Sequence, residues 1–291
     1  MGEHRGAPLL AYLDANAVED IESLRCGVDA SMVEALRVAL REGRLLVPLS
    51  LEVAMELMAS VGTKPDRALA LGRVYYALAS ESVAFKPTKP IVAGAIEERL
   101  GGPALNPFVT LTPEQRGRVR ARLLGEAPNA VDKIIDGERA SIQSWLGGVN
   151  ESAAEMRTFS DGMEDVRENS IAEWVADLWK EEVAREWARG RAKNTGLLER
   201  AVEAGLTDED LLTIPTIAAV VGVMLGLAVA HAKGRKPRFG DYRDAQHCML
   251  AASAGAVFVT NDGRLTEIAE AVPGRPVVVM TLHDLLGRIG P

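Results

Sequence analysis

Two acidic residues each follow an apolar, strand-like segment, and the two segments lie far apart in the chain. Asp14 follows LLAYL near the N-terminus, and Asp262 follows AVFVTN near the C-terminus. In a parallel, doubly wound sheet, ligands bind at the carboxyl ends of the strands. Two carboxylates delivered to that edge favour a site that holds a hard cation.

Two more carboxylates are expected at the same edge, because the helices of such a fold begin there. Asp244 lies in the first turn of a predicted helix that starts near Asp241, and Glu56 lies about a turn and a half into another, which Ser50 is predicted to cap. Clustered carboxylates resist ionising together unless a cation neutralises them. Oxygen ligands of this kind suit Mg²⁺ or Mn²⁺, and the chemistry they predict is metal-assisted hydrolysis of a phosphodiester.

Each of these residues also has a purely structural interpretation. Asp14 suits an Asx turn before a helix, and Asp262-Gly263 is a common turn pair. Asp241 suits a helix N-cap, Asp244 a favourable place in the helix dipole, and Glu56 a solvated helix face. The prediction of a site therefore depends on the coincidence of the four at one edge.

Strand and helix patterns alternate in two stretches, residues 8–98 and 214–291, which predicts one parallel α/β sheet built from both. Residues 99–213 differ, with a capping box at Thr112–Gln115 and all four tryptophans. Because strand signals are absent there, we interpret this stretch as an inserted all-helical region.

Composition favours a globular chain that buries a real core. The 291 residues are 47% hydrophobic and 25% charged, with a net charge of −8, so an anionic substrate needs local basic residues or bound metal. Candidate basic groups are the KGRKPR run and four arginines at alternate positions from Arg116 to Arg122. The chain shows no secretory signal and only two isolated cysteines, which predicts a cytoplasmic protein without structural zinc or disulfides.

One apolar segment has the length of a membrane span. No Asp, Glu, Lys or Arg occurs between Leu211 and Ala232. The alternative is a helix packed centrally in a globular core, where Gly222 and Gly226 permit close approach of a neighbour. A single span would place Asp14 and Asp262 on opposite sides of a bilayer, so we predict a buried helix and no membrane.

Taken together, these residues resemble the PIN-domain nucleases, which include the VapC-like ribonucleases of toxin–antitoxin pairs. The resemblance covers roughly residues 8–98 and 214–291 and excludes the helical insertion. It is carried by motifs whose order and spacing match: Asp14 after the first strand, Ser50 with Glu56-Leu57 six residues on, Asp244, and Thr260-Asn261-Asp262.

The resemblance implies a metal-dependent endoribonuclease that acts on single-stranded RNA, with a parallel sheet of order 3-2-1-4-5. It further implies that Asp14, Glu56, Asp244 and Asp262 bind Mg²⁺ or Mn²⁺, and that an antitoxin-like protein and a second copy of the chain are candidate partners. Other residues are expected to orient the ligands or contact substrate: Asn16, Ser50, Asp241, Thr260, Asn261, Arg238 and His247. For His247, a packed core histidine is the alternative.

Two other functions fit parts of this pattern. A non-catalytic PIN-like module would bind RNA or a protein, with the insertion as its interaction surface. A dehalogenase-type phosphatase fits less well, because its first motif normally has a second acidic residue where this chain has Asn16.

Overall fold

A parallel sheet of four strands lies at the centre of the protein. The structure is a computed structural model that describes residues 7–58, 63–126, 136, 140, 170–235 and 241–289. The sheet has the order β2-β1-β5-β6, with β1 at Leu9–Leu13, β2 at Leu45–Leu46, β5 at Val257–Val259 and β6 at Val278–Met280. The predicted α/β class with a parallel sheet is confirmed.

A short antiparallel pair joins β3 (Val83–Phe85) to β4 (Phe108–Thr110). The pair meets the main sheet through a parallel bridge between Leu49 and Ala84, where the Leu49 N–H donates to the Val83 carbonyl at 2.9 Å. Residues 99–213 therefore contain a strand, and the prediction of an all-helical region is wrong at β4. Three residues next to Pro107 give too short a strand signal to detect, and the strand forms because β3 pairs with it.

Fourteen helices occur in the described part of the chain. They are α1 Ala15–Ser23, α2 Ala30–Arg41, α3 Leu51–Leu57, α4 Pro65–Leu78, α5 Thr88–Arg99, α6 Pro113–Leu124, α7 Ile171–Lys180, α8 Glu182–Thr195, α9 Leu198–Glu203, α10 Asp208–Leu212, α11 Pro215–Ala232, α12 Asp241–Ala254, α13 Gly263–Ala271 and α14 Leu282–Ile289. Two predicted starts are confirmed, since Ser50 caps α3 and Thr112 forms a capping box with Gln115 on α6.

Helix α11 is the apolar segment, and it packs inside the protein. It is long and apolar enough to cross a membrane, yet 78% of its 18 residues are buried against other elements. It contacts α7, α8, α12 and α13. A helix that is apolar all round suits a central position of this kind, so the prediction of a buried helix is confirmed.

The helices between residues 170 and 212 share one hydrophobic core with the sheet. Helix α7 packs on α11 and α13, and α8 packs on α5, α10 and α11. Helix α8 turns a face of small residues inward, with Ala184, Ala188 and Ala192 all fully buried at four-residue spacing. This part of the predicted insertion is therefore continuous with the core.

The glycines of α11 set how closely α13 approaches. A Cβ at Gly222 would overlap both γ-methyls of Val272, and one at Gly226 would lie 2.5 Å from Cγ2 of Ile268. Gly190 on α8 is also inside a helix, but it is exposed and has open space around it. The same added methyl group therefore meets opposite environments at Gly222 and Gly190.

We expect Gly222→Ala to lower the free energy of unfolding by about 1–3 kcal/mol, because overpacking outweighs the gain in helix propensity. Gly190→Ala should raise it by about 0.5–1 kcal/mol, because it removes the entropic cost of glycine. Urea unfolding of both variants measures the difference. Equal effects of the two substitutions would contradict close packing of α11 on α13.

Candidate metal centre

Asp14 lies at the carboxyl end of β1, directly before α1. Its side chain is buried, with 1% exposed, and the residue is the N-cap of α1. Oδ1 accepts a hydrogen bond from the Ala15 N–H at 2.8 Å, and Oδ2 accepts one from the Asn16 amide at 3.2 Å. The buried carboxylate is thus oriented on one side by its own helix.

The neighbouring strand supplies a further hydrogen bond to Asp14. Leu13 of β1 lies opposite Val259 of β5, so the next residues, Asp14 and Thr260, leave the sheet side by side. The buried Thr260 hydroxyl donates to Asp14 Oδ2 at 2.8 Å and accepts from the Asp262 N–H at 3.1 Å. Thr260 therefore couples the ends of the two central strands.

Glu56 and His247 complete a group with Asp14. Glu56 comes from α3 and is half-buried, whereas His247 comes from the first half of α12 and is fully buried. The His247 Nε2 lies 2.8 Å from Glu56 Oε2. One ligand atom from each of Asp14, Glu56 and His247 lies within 4.8 Å of the other two.

A buried polar network fixes the other side of the His247 ring. The Tyr12 hydroxyl lies 2.6 Å from His247 Nδ1 and 2.8 Å from the Ser50 hydroxyl. The Ser50 N–H in turn donates to the Tyr75 hydroxyl at 2.7 Å. Tyr12 lies in β1, and Asp14 follows the strand two residues later in extended backbone. Both side chains therefore lie on the same face of the sheet.

The three groups influence one another's protonation. Burial, and to a lesser degree Glu56, raises the pKa of Asp14, while the charge of His247 opposes the rise. Burial also tends to raise the pKa of Glu56, but its bond to His247 and the nearby Arg243 bring it below its usual range. Burial tends to lower the pKa of His247, and Glu56 and Asp14 raise it overall. His247 is thus favoured as the cation between two carboxylates.

The donor set suits a divalent metal ion. Ligand atoms that share one ion at about 2.0–2.3 Å lie roughly 3–4.6 Å apart. The ligand atoms of Asp14, Glu56 and His247 lie within 4.8 Å of one another, so they would need to move only slightly closer together to share an ion. Two carboxylates and one imidazole from three different elements also match the ligand types of mononuclear sites. The residues therefore fit a bound cation, with Asp14, Glu56 and His247 to hold it.

No protein-family model, curated protein or solved structure matches the chain. Inference about function therefore depends on the site and its position in the fold.

The other two predicted carboxylate ligands lie outside this group in the described structure. Asp262 caps α13, with Oδ1 accepting from the N–H groups of Arg264 and Leu265 at 2.9 and 3.0 Å. Asp244 lies one turn before His247 on α12, close enough to raise the pKa of that histidine. Their role as metal ligands stays a prediction.

The residues expected to support the site are distributed around it. Asn16 and Thr260 contact Asp14, and Ser50 contacts Tyr12. The Asn261 amide instead donates to Asp20 on α1 at 2.5 Å. Arg238 lies outside the described residues, and Asp241 is described only as the first residue of α12.

Sequence reasoning missed Tyr12 and placed His247 in a supporting role, although a signal for each was present. Tyr12 lies two residues before Asp14, which directly follows β1 in extended backbone, and His247 follows Asp244 by three residues, so each pair shares a face. The burial of Arg243 beside Glu56 had no such signal, because it depends on how α12 meets α3.

We expect Thr260→Val to lower the free energy of unfolding by about 1–3 kcal/mol, because it removes the hydroxyl that donates to the buried Asp14 Oδ2 and accepts from the Asp262 N–H. Thr260→Ser keeps the hydroxyl and is the matched control, with a smaller loss. Chemical unfolding in EDTA measures both. A Val variant as stable as the Ser variant would show that the hydrogen bond does not hold Asp14.

Proposed function

We propose that the protein is a metal-dependent endoribonuclease of the PIN-like type that hydrolyses single-stranded RNA. The observation that carries the proposal is the convergence of Asp14, Glu56 and His247 at the carboxyl edge of a parallel sheet. Asp14 lies where the PIN motif has its first acidic residue, and Glu56 where it has its second.

The arrangement of strands supports a PIN-like core. The sheet order β2-β1-β5-β6 corresponds to four neighbouring positions of the order 3-2-1-4-5. The parallel bridge between Leu49 and Ala84 brings β3 to the side where the remaining strand of that order belongs. Residues 8–98 and 214–291 would form this core, and residues 99–213 would be an addition to it.

The chain's own residues would bind the ion and orient its ligands. Asp14, Glu56 and His247 would hold it, and Asp244 and Asp262 are close enough in the fold to be further candidates. Thr260 and Asn16 hold the Asp14 carboxylate through hydrogen bonds to Oδ2. When bound, a divalent cation supplies Lewis acidity toward water and phosphate oxygens.

Basic side chains at the site and elsewhere on the protein would compensate for the acidic chain when RNA approaches. Arg243 is buried beside Glu56, and Lys233 ends α11, in the run that leads to α12. On α6, Arg118 pairs with Glu114 and Arg120 with Glu126 at the surface. Exposed pairs of this kind are weak, so phosphates can replace the carboxylates. A cytoplasmic setting, an antitoxin-like partner and a homodimer stay predictions of the PIN resemblance.

One observation favours the alternative of a non-catalytic PIN-like binding module. The Glu56 carboxylate is already paired with His247, and the Asp262 carboxylate caps α13. The carboxylates are thus satisfied by the protein itself, and binding of RNA or a protein would not require a cation.

Incubation of 5′-labelled single-stranded RNA with the purified protein separates the two functions. We expect cleavage with Mn²⁺, none with EDTA, and a loss of at least about 100-fold in Asp14→Asn, since bound metal supplies several kcal/mol to the transition state. Asp177→Asn, at an exposed carboxylate on α7, is the matched control and should cleave normally.

Cleavage by Asp14→Asn at the wild-type rate, or in EDTA, would overturn the nuclease proposal. RNA retained by the wild-type protein in a filter-binding assay without any cleavage would support the binding module instead.

A further inference from the structure

We propose that His247 is a nitrogen ligand, positioned by Tyr12, that makes the site select a first-row transition-metal ion such as Mn²⁺ over Mg²⁺. This inference rests on the metal centre of the proposed function and adds which class of ion the centre takes. The PIN resemblance supplies only carboxylate ligands, whereas the structure assigns an imidazole to the same group.

The orientation of the ring leaves one nitrogen for an ion. His247 Nδ1 is occupied by the Tyr12 hydroxyl at 2.6 Å, on the side away from the carboxylates. Nε2 points to Glu56, at 2.8 Å. Because the ring is fully buried and stacked at a tilt against Tyr12, with centroids 5.5 Å apart, it cannot turn without disturbing the core.

The hydrogen bond between Tyr12 and His247 is compatible with the histidine tautomer that metal binding requires. A neutral imidazole that binds an ion through Nε2 carries its proton on Nδ1, and a partner that accepts this proton fixes the ring. In that tautomer the Tyr12 oxygen, 2.6 Å from Nδ1, would accept this proton, and the Ser50 hydroxyl at 2.8 Å would accept the proton of Tyr12.

The chemistry of the donor set then discriminates between ions. Mg²⁺ prefers oxygen ligands and gives up its water shell reluctantly. Imidazole is a common ligand of Zn²⁺ and other first-row ions, and affinities for a mixed N/O site rise from Mn²⁺ toward Zn²⁺. Asp14 and His247 are 1% and 0% exposed, so an ion that binds both must give up part of its water shell, which Mg²⁺ resists.

Calorimetric titration of the EDTA-stripped 291-residue chain with Mn²⁺, Zn²⁺ and Mg²⁺ tests the selectivity. We expect Mn²⁺ to bind at least about 10-fold more tightly than Mg²⁺, and Zn²⁺ more tightly still. The Mn²⁺-loaded wild-type protein should show a ¹⁴N hyperfine coupling by electron spin-echo spectroscopy. This readout requires neither RNA nor a variant.

Three variants test whether the ¹⁴N coupling comes from His247. His247→Gln should remove it and abolish the preference for Mn²⁺, whereas His283→Gln, at an exposed histidine of α14, should change neither. Tyr12→Phe should keep the coupling but weaken Mn²⁺ binding about 10–100-fold, the usual effect of losing the partner that orients a ligand. If His247→Gln does not fold, the wild-type coupling and Tyr12→Phe decide the question.

The outcomes separate this inference from the nuclease. Mn²⁺ bound without ¹⁴N coupling and no more tightly than Mg²⁺ would overturn the inference and leave the proposed function intact. Nitrogen-coupled Mn²⁺ in a protein that cleaves no RNA would support the inference and overturn the nuclease. Failure of the wild-type protein to bind any of the three ions would overturn both.

Discussion

The arrangement around the carboxyl edge of the sheet depends on one constraint, the burial of the Asp14 carboxylate. A carboxylate that is 1% exposed is unfavourable unless hydrogen bonds and a positive charge compensate it. The sheet places Thr260 beside it through the pairing of Leu13 with Val259, and α1 begins at it so that a backbone N–H points to Oδ1. The charge comes from α12, which brings His247 to the same point.

The position of His247 depends on how α12 packs against other helices as well as against the sheet. Helix α12 packs on α11 on one side and reaches β1, β5 and α3 on the other. The apolar surface of α11 therefore has a direct consequence for the site. If α11 were not buried in the core, α12 would lose its main support, and the histidine would no longer be held between Glu56 and Tyr12.

Sequence reasoning was most successful where a local rule decides the structure. Ser50 and Thr112 cap helices because of interactions within a few residues, and the glycines of α11 indicate a close neighbour before that neighbour is known. It was least successful for β3 and β4, which have three residues each and exist through pairing with each other. The carboxylates Asp14 and Glu56 could be selected by type and spacing.

The composition of the group around Asp14 was harder to predict, since it depends on the rotation of α12 about its axis. Asp244 and His247 are one turn apart, and nothing in their spacing decides which of them faces Glu56. The structure turns the imidazole inward, supported by the Tyr12 hydroxyl at 2.6 Å. A three-dimensional contact between residues 191 positions apart thus decides the ligand chemistry of the site.

The imidazole of His247 also reduces the repulsion between the Asp14 and Glu56 carboxylates when no metal ion is bound. In an all-carboxylate site, the like charges repel until a cation arrives. Here Glu56 and Asp14 both raise the pKa of His247, which favours a positively charged ring between the two carboxylates. An ion bound at this group would replace a proton that compensates the same carboxylates. It would have to displace the bond between His247 and Glu56, which disfavours ions with weak affinity for nitrogen.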